Sequence, residues 1–461
     1  MKALYTLLIF LIPFIGFTQV QIGQNIYGDN AGDGFGWCLS IANSDGTLAI
    51  GAPFSNENGM SSGEVKVFQF DGVTWLQRGS DIAGEYAGDE FGHSVDISDD
   101  GQILVIGSIN NGSERGHLRV FQWDENLNNW IQLGQNIDGE NLGDFFGWSC
   151  SINSTGTIIA GGAVRNDGSY LDAGSVRVFE LVSNNWVQIG QDIDGENTED
   201  LSGHSVSLSS DGHTISIGAG HNSDAGFEVG HVRIYNYDIN SNMWIQMGLD
   251  IDGEGTGIDH SGYSNSISSD GQTVAIGAQS NFNNSTLAAG HVRVFKFDGI
   301  NWIQAGSDID GLMNSENAGN DVSISGDGSL LILGAIHNNT NGVYSGQARI
   351  YELNLGVWNQ IGLPINGLAP DDYLGFDTDI NRSGTMVAAG APYALGPNGQ
   401  SGMVRVYSIG NLLNTNEINL PSIRKLKKIV DILGKETKPQ TNIPLIEIYD
   451  DGSVEKKVIV E

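Results

Sequence analysis

The sequence predicts an all-β chain, a seven-bladed β-propeller closed by its own N-terminal strand and followed by a small C-terminal β-domain. Three observations carry that expectation. One pattern recurs seven times, opened by Gly36, Gly92, Gly147, Gly203, Gly262, Gly319 and Gly375, at spacings of 56, 55, 56, 59, 57 and 56 residues. Each copy reads as four short strands, too many for one coil of a β-solenoid and right for one propeller blade. The seventh copy lacks its last segment, and a matching segment stands alone ahead of the first.

Strand one, as in Ser94-Val95-Asp96-Ile97-Ser98, alternates small polar and apolar residues and suits a crowded, partly wet inner channel. A turn such as Ser210-Asp211-Gly212 follows, with glycine where a short hairpin needs positive φ. Strand two is apolar at successive positions, as in Ile103-Leu104-Val105-Ile106 and Leu330-Leu331-Ile332-Leu333, so it is expected to be buried on both faces between neighbouring blades. Strand three reads Gly-x-Val-Arg-Val-Phe, as from Gly290 to Phe295, and strand four Trp-x-Gln-x-Gly, as from Trp302 to Gly306. After Val404-Arg405-Val406-Tyr407 no fourth strand comes, whereas Val20-Gln21-Ile22-Gly23-Gln24 matches Val187-Gln188-Ile189-Gly190-Gln191. The first segment must therefore complete the last sheet.

Up-and-down blades put the loops from strand two to three on the same side as the links between blades. That side holds the long loops, Pro53 to Ser62, Asn166 to Ala173, Gly220 to Val229 and Gln279 to Ala289. The other side has only tight turns.

The expected domains are a secretory signal peptide at 1–18, the propeller at 19–410, a linker at 411–423 and the C-terminal domain at 424–461. Residues 1–17 carry one lysine and an apolar run interrupted by Pro13, and Gly16-Phe17-Thr18 suits cleavage before Gln19. That run is shorter than the roughly 20 residues of a membrane helix and no second hydrophobic span follows. Residues 19–421 carry 12 Lys and Arg against 48 Asp and Glu, net −36, and residues 422–461 carry 8 against 7, net +1. So acidic a body disfavours nucleic acid and anionic lipid. Cys38 and Cys150, at different positions of non-adjacent copies, are expected to be free and packed rather than bonded.

Strand three carries one basic residue per copy, Lys66, Arg119, Arg177, Arg233, Arg293, Arg349 and Arg405, expected to bridge to acidic or carbonyl groups rather than to form an anion site. The Asp-Ile-Asp-Gly-Glu links are the one repeated acidic motif. Asp192, Asp194 and Glu196, with Asp250, Asp252 and Glu254, are weak Ca²⁺ candidates, against a reading as solvated turns with no metal or cofactor. Of nine histidines, His117, His231 and His291 share one repeat position and His93 and His204 another, which makes them structural. No nucleophile motif, zinc spacing or phosphate loop marks a catalytic site.

Phe91-Gly92-His93-Ser94-Val95, with Gly-Ala-Pro at Gly51 to Pro53 and Gly390 to Pro392, resembles the FG-GAP repeats of integrin α-chain propellers, over roughly Val20 to Tyr407. The resemblance implies a seven-bladed propeller used in extracellular recognition. That family's cation loop, D-x-D-x-D-G-x-x-D, is missing from every strand-one hairpin, so its calcium binding does not carry over. The tail, from Arg424-Lys425-Leu426 through Ile446-Glu447-Ile448-Tyr449-Asp450-Asp451-Gly452 to Glu461, resembles the C-terminal sorting domain of type IX secretion cargo of Bacteroidetes-type bacteria. It implies a partner in the outer-membrane secretion machinery.

These readings converge on a secreted or cell-surface, non-catalytic propeller that binds an extracellular protein or a polysaccharide through its long-loop face. The alternative is a secreted propeller hydrolase or lyase, which needs unlike catalytic groups from different blades to converge near the axis.

Overall fold

The computed structural model describes residues 17–44, 46–254, 257–282 and 288–411, and in the tail 426–431, 435, 437, 444–449 and 454–458. Most of the expected leader and of the linker at 411–423 lies outside the described residues. One compact unit is Phe17–Gly410 and holds seven antiparallel sheets. In the other, Leu426–Asp431, Pro444–Tyr449 and Val454–Val458 form a three-stranded antiparallel sheet. No helix among the described residues is long and apolar enough to cross a membrane.

The fourth blade shows how the sequence pattern folds. Ser205–Leu208, Thr214–Ala219, His231–Asp238 and Met243–Gln246 pair in that order from the axis outward. All six residues of Thr214–Ala219 are buried, as expected for a strand covered on both faces. Seven apolar clusters lie each between two blades; one joins Ile158, Val176 and Val178 to Val206, Ile215 and Ile217. Burying one such side chain is worth about 1.5–3 kcal/mol.

The structure differs from four strands and a turn in one respect. The link read as an Asp-Gly turn begins with a short fifth strand. In the third blade Asn185–Gln188 covers only Phe179 to Val182, and Ile193–Asp194 covers Ser175 and Val176 at the other end of the same strand. The outer edge is thus broken opposite Arg177, and Gly190, at φ 72°, makes the bend. Apolar Ile193 is buried there, which is why the link keeps isoleucine between its acids.

Blades meet through glycine. A Cβ on Gly218 would lie 2.1 Å from the carbonyl oxygen of Gly262 in the next blade, and the same contact recurs from Gly51 to Gly92, Gly107 to Gly147 and Gly390 to Gly36. Any side chain there would force the blades apart. At the outer rim Trp75, Trp130, Trp186, Trp244, Trp302 and Trp358 each donate their indole N–H to a carbonyl of the preceding blade's outer strand, at 2.7–3.0 Å.

The N-terminal strand closes the ring. Phe17–Gln21 lies beside Met403–Asn411 as the outer strand of the seventh blade, and Ile22 donates its N–H to Val406 O at 2.9 Å. Ile22 O accepts the Trp75 indole of the first blade, and Gln24 exchanges two hydrogen bonds with the Trp75 backbone. Gln19 stands where the other copies have tryptophan. Its smaller side chain leaves a cavity of about 730 Å³ at the seam, lined by Gly362 to Asn366, Arg405 and Tyr407.

Deleting residues 19–26 should therefore unlatch Trp75 as well as strip the seventh blade. Thermal unfolding is expected to move down by several degrees or more, and an unchanged melting temperature would refute closure by this strand.

Candidate functional site at the loop-face mouth of the channel

Strand one is the inner edge of each blade, and its unpaired backbone groups must find partners. Three stacked rings supply them. Nearest the loop face, the second residue after each opening glycine reaches the next blade: Cys38 donates to Gly92 O, Ser94 to Gly147 O, Ser149 to Gly203 O, Ser205 to Gly262 O and Ser264 to Gly319 O. Deeper, Ser40, Asp96, Ser151, Ser207, Ser266, Ser323 and Asp379 each accept the N–H of a strand-one residue in the following blade, Asp379 from Ile41 so that the circle closes. At the tight-turn face the turns are themselves hydrogen-bonded in a circle, Asn43 to Asp99, Ser154, Ser210, Ser269, Gly326 and Arg382. Ser383 N–H completes it on Asn43 Oδ1, and Arg382 also pairs with Asp99 at 2.6 Å.

That circle narrows one end. The channel cavity, about 270 Å³, is lined instead from the loop-face end. Its mouth is a ring of large side chains, one per blade: Trp37, His93, Trp148, His204, Tyr263, Asn320 and Phe376. Ring centroids of consecutive members are 4.4–6.0 Å apart around most of the circle. His93 and His204 set their Nδ1 against the carbonyls of Trp148 and Tyr263, and burial pulls both rings down to about 4. They are neutral packing groups, in keeping with their repeat position.

Behind the mouth the structure does bring unlike groups together, which the sequence does not show. Asp321 and Asp377, from the sixth and seventh blades, occupy the positions where five other blades have a thiol or hydroxyl donor, and they hydrogen-bond to each other. Burial raises both, and Asp321 raises Asp377 further. Asp377 also accepts the Leu39 N–H at 2.6 Å, and Asp321 the Thr378 N–H and hydroxyl. Burial likewise lifts Asp379 to about 6 and raises Asp96. Cys38 and Cys150 are both free, and burial raises their thiols.

Around the mouth stands a rim in which every blade differs. Two residues before the opening glycine, Glu90, Phe145, Leu201, His260, Asn317 and Tyr373 all take φ between 52° and 57°. Two residues before the glycine of strand three, Ser61, Glu114, Asp172, Glu228, Ala288 and Tyr344 take φ between 49° and 64°. Left-handed backbone costs a non-glycine residue about 1–2 kcal/mol. The fold meets that cost because the two bends clasp across five of the interfaces, as where Phe145 N–H donates to Glu114 O and His260 N–H to Glu228 O. A third column, Phe54, Asn110, Arg165, His221, Ser280, His337 and Tyr393, stands beside them.

Side chains of these columns form local groups. Arg165 lies over Phe145 at 5.4 Å. His337, Tyr344, Tyr373 and Tyr393 make an aromatic cluster with centroids 4.7–5.8 Å apart that reaches Phe376 of the mouth. His221 stacks on His260 at 4.9 Å, and His260 Nε2 lies 3.3 Å from Glu228 Oε2. This corrects the expectation that the histidines only follow blade geometry. Farther out, one position of the strand-two to strand-three loop gives Met60, Leu171, Phe227 and Val343, exposed by 78%, 60%, 66% and 60%.

The acidic links do not form oxygen cages. Asp192 accepts from Gln188, Asp194 from Ser169, and Glu196 pairs with Arg233 of the next blade at 3.5 Å. Asp250 accepts from Gln246 and Glu254 pairs with Arg293 at 3.4 Å, while burial and Asp250 raise Asp252. Carboxylates of one link thus turn to three different partners. Glu196 and Asp250 do come together across His231, and Glu254 and Asp308 across His291, but a guanidinium already sits at each place.

Six of the seven strand-three cations tie their blade to the link before it, and Arg119 instead donates to Gln132 of its own blade. Arg177 donates to Asp138 O, Arg233 to Asp194 O, Arg293 to Asp252 O and Arg405 to Asn366 O. Lys66 binds Asp29 and Asp81, and Arg349 pairs with buried Glu316. A further repeated acid, three residues before each opening glycine, escapes a reading for motifs: buried Asp89, Asp144, Asp200 and Asp372 accept backbone N–H groups of their own links.

Residues 28–68 match the FG-GAP repeat family. No curated protein matches the chain. A solved structure from Bacteroides uniformis, described as a 6-phosphogluconolactonase, is similar with a TM-score of 0.53 at 14% identity, covering 90% of this chain and 96% of that one. At that identity the likeness shows the propeller fold alone.

Arg233→Met leaves Asp194 O and the Ser202 hydroxyl without a donor and should cost about 1–3 kcal/mol in chemical unfolding; unchanged stability with lost anion binding would instead make the cations functional. His204 is held near 4, below its unfolded value, so only the unfolded chain gains its proton between about pH 6.5 and 4 and that share of stability falls with pH. The melting-temperature gap between the native chain and His204→Gln should shrink over that interval.

Proposed function

We propose that this propeller is a non-catalytic recognition module, exported from the cell, which binds an extracellular protein or a polysaccharide through its long-loop face. One observation carries the reading. The seven copies agree wherever they hold the ring together and disagree in the three columns that rim the channel mouth. A rigid platform with variable residues on top is how scaffolds present binding sites. The exposed ring of Met60, Leu171, Phe227 and Val343 and the tyrosine cluster beside it supply apolar and aromatic surface, which suits apolar side chains or the faces of sugar rings.

Delivery is part of the proposal. The small tail sheet, in a unit separate from the propeller, is consistent with a sorting address read by outer-membrane secretion machinery, leaving the propeller released or held at the outer surface.

A hydrolase or lyase is the second reading, and the Asp321–Asp377 pair is the observation that favours it. Against it, the oxygens of that pair are engaged by Leu39 and Thr378 and serve the inner edge of the ring.

Replacing Met60, Leu171, Phe227 and Val343 together by serine should abolish binding in glycan and surface-protein screens while the melting temperature holds. Loss of a central anchor is worth about 2 kcal/mol, roughly thirtyfold in Kd. Unchanged binding would move the site off this face. Turnover of a polysaccharide by the native chain, lost in Asp377→Asn, would establish the enzyme reading.

A further inference from the structure

His221, Glu228 and His260 come from the loop between strands two and three of the fourth blade and from the link that enters the fifth. Their ligand atoms all lie within 4.8 Å of one another. Two imidazoles and a carboxylate are the donor set of three-ligand zinc centres, which keep a fourth position open. Ligands held about 2.0–2.1 Å from a tetrahedral ion stand about 3.3–3.4 Å apart, and the His260 Nε2 to Glu228 Oε2 distance is 3.3 Å.

The surroundings fit a built site. His260 Nδ1 lies 3.1 Å from Ser280 Oγ, and Ser280 is fixed by its own N–H on Asp259 O. Such an outer partner orients a metal-ligating imidazole. With the proton on Nδ1, the Nε2 lone pair faces the carboxylate of Glu228, and a cation between them resolves that opposition. Both bends that deliver Glu228 and His260 are left-handed, at φ 49° and 55°, so the backbone presents these side chains at a fixed angle. The matching positions at the interface of blades six and seven carry His337, Tyr344 and Tyr373 and offer no such set.

We propose that His221, Glu228 and His260 bind one divalent transition-metal ion of the zinc class, which staples the loops of the fourth and fifth blades beside the channel mouth. This assignment stands on the cluster itself and not on the identity of any recognised partner.

The untagged full chain, stripped with chelator, should take up one Zn²⁺ per molecule in calorimetry and melt at a higher temperature when loaded. His221→Ala with His260→Ala should weaken uptake by about a hundredfold or more, and Ser280→Ala by about tenfold to a hundredfold. His231→Gln, at the neighbouring cluster, should bind as the native chain does. Absence of saturable uptake, uptake unchanged in the double variant, or uptake lost in His231→Gln would each overturn the proposal. The native chain loaded with Co²⁺ gives a readout independent of any variant: strong visible bands of a tetrahedral centre are expected, and the weak spectrum of an octahedral oxygen site would overturn it.

Discussion

Two backbones touch where Gly218 of one blade faces Gly262 of the next, closer than any Cβ would permit, and the whole ring depends on that contact. Hydrophobic burial between blades is non-directional and would tolerate many spacings. Glycine against glycine selects one. At that spacing a serine or aspartate of one inner strand reaches a backbone N–H of the next, and seven such bonds close on themselves between Asp379 and Ile41. The inner edges, which would otherwise be rows of unsatisfied groups, are thereby paired without a further strand.

The same spacing organises the outside. Each indole N–H can reach the preceding blade only because a glycine such as Gly190 lies beneath the ring, where a Cβ would come 2.5 Å from Trp244 Cδ1. The seventh blade is the exception that exposes the rule. Its outer strand is borrowed and carries Gln19 in place of tryptophan, and a cavity of about 730 Å³ opens there. Continuity is recovered through Ile22 and Gln24, which bind Trp75 as their counterparts bind Trp186 and Trp244.

A lattice this repetitive can hold individuality only where it bends. The two left-handed columns cost free energy at six interfaces, yet the clasp between them keeps the bend across different side chains. Glutamate, phenylalanine, leucine, histidine and tyrosine all occupy one backbone conformation, from Glu90 to Tyr373. Chemistry therefore changes from interface to interface while geometry does not. That uncoupling lets one interface gather His221, Glu228 and His260 and another gather tyrosines.

The sequence by itself determined the number of blades, the strand buried on both faces, the borrowed closing strand and the structural role of the strand-three cations, because each leaves a periodic mark. Gly36 to Gly375 recur at nearly equal intervals, and Val20 to Gln24 is recognisable as a displaced copy. The fifth strand at Ile193–Asp194 was half legible: its isoleucine repeats, but pairing to the far end of strand three depends on the break opposite Arg177. Only the tertiary structure decided which unlike residues meet. Asp321 and Asp377 are separated by a whole blade of sequence and become one hydrogen-bonded pair at the axis. His221 and His260 occupy different columns, one in a loop of the fourth blade and one in the link that enters the fifth, and no spacing rule relates them. Periodicity records what every blade shares, whereas a site arises where two blades differ and curvature of the ring brings the differences together.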